Sequence, residues 1–192
     1  MLDFENPDFK SETLAALEKH GHVHVDIGEP DIEVSIHSRD KNRLRVTAKS
    51  IVNQKIIGTI SSPNEKDKNH RPLKVTGAKE VGLKNSLVAK QILAVLNSLE
   101  GTPNIEIVPH YELIRFYIKE GYVPIRRINQ SKHTVDPELE KLFEGLVEFQ
   151  SELNQGHNPS YDIWKLPKTI LEKNPIAAKK YWEKIEIAAR TN

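Results

Sequence analysis

The sequence predicts an α/β fold of the α+β kind: a mixed, mostly antiparallel twisted sheet flanked by helices, with a helical C-terminal extension. Three observations predict it. From His22 to Val81 the chain is a series of short β-branched runs broken by Gly, Pro, Asp or Asn. After Gly82 the apolar residues recur at spacings of three and four, the period of a helix. Beyond Asp136 the helical period returns and persists among lysines and glutamates.

Each element has its own reason. Asn6-Pro7 reads as a cap followed by a first helical residue, Leu14 and Leu17 share a face, and Gly21 suits the left-handed position past a helix end. A short amphipathic helix is therefore expected ahead of the sheet. The runs "HVHVDI", "DIEVSIHS", "RLRVTAKSIV", "KIIGTIS" and "LKVTGAKEV" then form an antiparallel meander. In it "DKNR" and "VNQK" are hairpin turns and "SSPNEKDKNHRP" is a longer polar loop. Val88, Ile92, Val95, Leu96 and Leu99 line one face of a helix that Gly101 stops, "NIEIV" follows as a short buried strand, "HYELIRFYIKEG" as a second helix and "YVPIRRI" as another strand.

The last third is expected to be helical. Asp136-Pro137 opens a helix striped by Leu139, Leu142, Phe143, Leu146 and Phe149, and "NQGHNPS" breaks it. A final helical region is expected from Lys168, restarting at Asn174-Pro175 and carrying Ile176, Trp182 and Ile185. The domain reading is a main domain over 1–130 and a helical extension over 131–192 packed on it.

Composition narrows the function classes. The chain has 192 residues, with 28 Lys plus Arg against 27 Asp plus Glu, so no global field selects nucleic acid over a small anion or a protein. Aromatic residues make up only 6% and no basic stripe is interleaved with them, so a nucleic-acid stacking platform is not expected. Without cysteine there is no disulfide framework, thiolate zinc site or cysteine nucleophile. The first residues carry acidic groups and no long apolar run, so the expectation is a soluble, cytoplasmic protein that docks on no membrane.

Two stretches carry chemistry. Gly82 sits in a polar bend between a strand and a helix, where backbone N–H groups and the helix dipole favour an anion. The residue pattern alone leaves this open between an anion site and an ordinary strand-to-helix turn. In "HGHVHVDI", His22, His24 and Asp26 project from one face if the run is a strand, a spacing at which imidazole and carboxylate can hold zinc. Known His-x-His-x-Asp hydrolase runs carry a further His after the Asp, where this chain has Ile27, so a polar strand face is the expectation and no metal is assigned.

The order of meander, glycine turn, helix, strand and "LIRFYIKEGYVPI" resembles the GNAT superfamily of acetyl-CoA-dependent N-acyltransferases, over roughly Arg43 to Arg127. The family pattern Gln/Arg-x-x-Gly-x-Gly/Ala, which holds the CoA pyrophosphate, is similar to Lys79-Glu80-Val81-Gly82-Leu83-Lys84, with Leu87 at the usual apolar position. The aromatic-Tyr-x-x-x-Gly-aromatic landmark is matched at every fixed position by Phe116-Tyr117-Ile118-Lys119-Glu120-Gly121-Tyr122. Lys79 departs from Gln/Arg, Lys84 stands where a small residue is usual, and His110 and Leu113 replace the frequent Asn and Ala.

The resemblance implies direct transfer of an acyl group from a CoA thioester to an amine of a small molecule or protein, by a chain for which a homodimer is compatible. It implies that Lys79, Val81, Gly82, Leu83, Lys84, Asn85 and Ser86 hold acetyl-CoA, the acyl donor. Tyr117 is implied as the proton donor to the departing thiolate, with Glu80, His110, Glu106 and Glu112 as candidate bases. Two alternatives stand beside this reading. One is a GNAT-like binding or regulatory module with weakened catalysis; the other is a metal-dependent hydrolase built on His22, His24 and Asp26.

Overall fold

The computed structural model describes every residue except 40–42, 63–69, 102–103, 109, 129–134, 137–138, 160–166 and 192. The chain divides into two compact units, Met1–Pro103 and Asn104–Asn192, a partition that does not coincide with the expected one at 130/131. Both mix helices with mostly antiparallel strands, as the sequence predicts at the level of class. Among the described residues no helix is long and apolar enough to cross a membrane.

The first unit runs β1 (Leu2–Asp3), α1 (Phe9–His20), β2 (His22–Asp26), β3 (Ile32–Arg39), β4 (Arg43–Ser50), β5 (Ile56–Ser61), β6 (His70–Val75) and α2 (Asn85–Glu100). β1 lies parallel to β2, and β2 through β6 form the expected antiparallel meander. The register stacks Val25 on Val34, Val34 on Ala48 and Ala48 on Gly58, which puts one apolar row across four strands. Val34, Ile36, Val46, Ala48 and Ile60 are fully buried, as are Val88, Ile92 and Leu96 of α2. Each such side chain contributes about 1.5–3 kcal/mol by leaving water. Gly58 sets how closely α2 lies on the sheet, because a Cβ there would come within 2.7 Å of Val88 Cγ1.

Three local expectations in this unit are corrected. β1 precedes α1, where the sequence reading begins with the helix. The helix starts at Phe9, not after Asn6-Pro7: Asn6 Oδ1 accepts from Asp8 N at 2.9 Å, so its side chain closes a tight turn before the helix. Its inward face is Phe9, Thr13 and Leu17, while Leu14 is 46% exposed, because i, i+4 and i+8 set the buried stripe. Gly21 takes the expected left-handed conformation at φ 72°.

The second unit runs β7 (Asn104–Ile107), α3 (Tyr111–Lys119), β8 (Tyr122–Ile128), β9 (Val135–Asp136), α4 (Leu139–Asn154), β10 (Lys168–Lys173) and α5 (Pro175–Thr191). Its main departure from expectation is β10. The segment from Lys168, read from sequence as helical, is a strand inserted between β7 and β8 and antiparallel to both. Thr169, Ile170 and Leu171 are buried there, and pairing along both edges satisfies the backbone of a run too short to show its period. The expected helical C-terminal extension therefore contains a sheet strand. Asp136 lies in β9 opposite Arg127, Pro137 lies outside the described residues, and α4 begins at Leu139. The restart at Asn174-Pro175 is as expected: Asn174 Oδ1 accepts from Ala177 N at 3.0 Å and Pro175 opens α5.

Candidate functional site

The glycine turn of the first unit is more compact than a strand running into a helix. β6 stops at Val75, Gly77 is left-handed at φ 74°, and Lys79–Val81 coil into a 3-10 turn where the sequence reading continues the strand. Glu80 N donates to Gly77 O and Val81 N to Ala78 O, both at 3.2 Å, and Leu83 N also donates to Ala78 O, at 2.9 Å. The buried Ala78 thus anchors the turn.

Gly82 then takes φ 79°, a conformation that disfavours any side chain, and space is open for 4 Å around the position of a Cβ. Lys84 is the N-cap of α2, extended at φ −76° and ψ 130°, with an exposed side chain that caps nothing. Leu87 and Val88 amides turn back to Lys84 O at 3.0 and 3.3 Å, whereas the Asn85 and Ser86 amides have no backbone acceptor among the described residues. Asn85 Oδ1 is buried beside them and is also unpartnered among the described residues. The result is a solvent-facing helix mouth with two donors to spare, suited to an anion. Val81 and Leu83 are half-buried, and Glu80 is exposed with its carboxylate towards Gly77.

The far end of α2 is held by a group that the sequence reading did not single out. Arg71 on β6 is fully buried; its Nη1 donates to Asn97 Oδ1 at 2.8 Å and its Nη2 to Gly101 O at 2.9 Å. Glu100 Oε2 lies 3.4 Å from Nη2, and Ser62 Oγ donates to Glu100 Oε1 at 2.5 Å. A cation on the last carbonyls of a helix complements its dipole.

The second unit positions Tyr117, His110 and Glu112 around α3, and Glu106 on β7. Tyr117 is 0% exposed, edge-on to Phe116 at 5.1 Å and to Tyr122 at 5.5 Å between ring centroids. Its Oη has no hydrogen-bond partner among the described residues. Burial, reinforced by Tyr122 and Glu120, raises its pKa well above that of an ordinary phenol, so the proton stays on. His110 is the N-cap of α3 and its Nδ1 accepts from Leu113 N at 3.2 Å, which commits that nitrogen to holding the helix. Glu106 pairs with Lys168 Nζ at 2.7 Å, a partner hidden from the sequence reading because Lys168 was expected on a helix. Glu112 is exposed in the first turn of α3.

The histidine strand is β2, and His22, His24 and Asp26 are exposed on one face as expected. His24 Nδ1 lies 2.9 Å from Glu33, His22 stacks on His37 at 6.1 Å, and Asp26 Oδ1 accepts from Gly28 N. Among the described residues no group of three or more His, Asp or Glu is arranged to hold a metal. Comparisons with protein-family models, with curated proteins and with solved structures return no match for this chain.

Proposed function

We propose that this protein is an N-acyltransferase that takes an acetyl group from acetyl-CoA and passes it directly to an amine. The observation that carries the reading is the Tyr117 hydroxyl. A buried hydroxyl without a partner costs about 1–3 kcal/mol, and here it belongs to the tyrosine of the one stretch that matches the GNAT aromatic-Tyr-x-x-x-Gly-aromatic landmark at every fixed position. The helix mouth of α2 supports it independently. Gly82 leaves the backbone open to approach, the amides of Asn85 and Ser86 have capacity for phosphate oxygens, and the exposed Lys84 supplies a cation where the family has a small residue. Those residues fit a pyrophosphate chemically.

In this reading the acyl donor supplies an activated thioester, and the chain supplies anion binding and one proton. The neutral amine attacks the carbonyl carbon, the carbon–sulfur bond breaks, Tyr117 Oη gives its proton to the departing sulfur, and the proton lost by the amine passes to water, from which the tyrosine is reprotonated. The raised pKa keeps that hydroxyl in its donating form. A second reading, a CoA-binding module without turnover, is favoured by the complete burial of Tyr117.

Calorimetry with acetyl-CoA tests the first step. Lys84→Glu is expected to weaken binding about tenfold, less so in high salt, and Gly82→Trp to abolish it in a folded protein. Unchanged affinity in both variants removes the helix mouth from the reading. Release of free CoA in the presence of polyamines or lysine peptides distinguishes transferase from binding module.

A further inference from the structure

The geometry points to a second ligand site in the Asn104–Asn192 unit: a groove between α3 and α5 that takes an organic anion with an apolar body. The groove is open to solvent and offers about 550 Å³, within the range of small-molecule sites, and is lined by Ile118, Lys119, Gly121, Pro175, Lys179 and Trp182. None of these residues is among those proposed to hold acetyl-CoA or to give the proton, although Ile118, Lys119 and Gly121 belong to the same Phe116–Tyr122 stretch as Tyr117.

Its chemistry is two-sided. Pro175 and Trp182 supply apolar surface, and Gly121 keeps one end open, since a Cβ there would lie 3.4 Å from Pro175 Cγ. Cations gather over the same surface. Lys119 Nζ is 4.6 Å and Arg115 Cζ 5.6 Å from the centre of the Trp182 ring, so two positive groups one turn apart on α3 converge on a single indole. Lys179, three residues before Trp182, presents a third cation on the same face of α5.

Glu120 is the sole acid in the lining. Among the described residues neither Lys119 nor Lys179 has a carboxylate within ion-pair distance. Burial and the neighbouring Arg115 lower the pKa of Lys119, opposed by Glu186, which raises it. The match is to a carboxylate or sulfonate head near Lys119 and Lys179, with an aliphatic or aromatic body along Trp182.

Octanoate, octanol and octyltrimethylammonium, titrated into the intact protein by calorimetry, test this. Octanoate is expected to bind saturably, about tenfold or more tightly than octanol, with the cation not binding; Lys179→Glu and Lys119→Gln are each expected to weaken octanoate severalfold, and Trp182→Phe to weaken it further. Lys84→Glu is expected to leave octanoate binding unchanged, which separates this site from the helix mouth. Because Lys179 is exposed, Lys179→Glu retains the fold and keeps the test decisive. Equal binding of octanoate and octanol, no saturable octanoate binding, or wild-type affinity in Lys179→Glu overturns the site.

Discussion

Arg71→Met is expected to loosen the helix that carries the candidate anion site from its opposite end. The guanidinium is fully buried and joins three groups at the C-terminal end of α2: Asn97, Gly101 O and Glu100. Methionine fills much of the volume but removes two charge-assisted hydrogen bonds and an ion pair. Breaking a buried pair from one side costs about 3–5 kcal/mol. The lower end applies here, because Glu100 keeps about a quarter of its side-chain exposure and its bond from Ser62.

With a urea slope of about 1–3 kcal/mol/M, a loss of roughly 3 kcal/mol moves the midpoint down by about 1–3 M. Hydrogen exchange at Val95, Leu96 and Leu99 localises the effect, since the amides of the last turns of α2 are expected to lose protection first. Glu100→Gln is expected to cost less than half as much, because the guanidinium keeps Asn97 and Gly101 O. A midpoint for Arg71→Met within about 0.3 M of wild type, or a larger loss in Glu100→Gln, refutes the view that Arg71 clamps the helix end.

Three further outcomes are expected. Tyr117→Phe removes an unpartnered buried hydroxyl, so stability should hold or rise by up to about 1 kcal/mol, while acyl transfer falls about 10²-fold; equal turnover in a folded variant rejects the proton-donor role. Gly145→Ala on α4 drives a Cβ into Tyr111, whose Cε1 would lie 2.7 Å away. Overpacking of this kind costs about 1–3 kcal/mol, and a double-mutant cycle with Tyr111→Ala should recover most of it. Alkaline pH should unfold the second unit. Burial raises the pKa of Tyr117 well above the usual value and that of Tyr181 to about 12, so the folded state holds protons that the unfolded state releases from about pH 10. The stability contributed by these neutral hydroxyls is complete below pH 10 and falls as pH rises through the folded pKa values. Tyrosinate absorbance is therefore expected to rise late and together with loss of helix; full ionisation of all 5 tyrosines in a folded protein contradicts it.

What the sequence determined by itself is what local chemistry decides. The alternation of "HVHVDI" and "DIEVSIHS" places His22 and His24 outward and Val23 and Val25 inward, because successive strand residues face opposite sides. The spacing from Val88 to Leu99 and the glycines at 82 and 101 bound α2 without reference to the rest of the chain. Asn174-Pro175 announces α5 for the same reason. Only the tertiary structure decided the rest. "KTILEK" is a strand because β7 and β8 hydrogen-bond to its two edges, and both partners lie far away in sequence. That pairing brings Lys168 to Glu106 and so commits one candidate base to an ion pair. Whether Tyr117 points outward or inward was not legible in its motif, since a tyrosine on an amphipathic helix serves either face; packing against Phe116 and Tyr122 buries it and leaves its hydroxyl without a partner among the described residues. The clustering of Arg115, Lys119 and Lys179 around Trp182 likewise needs two helices to meet, which no window of sequence contains.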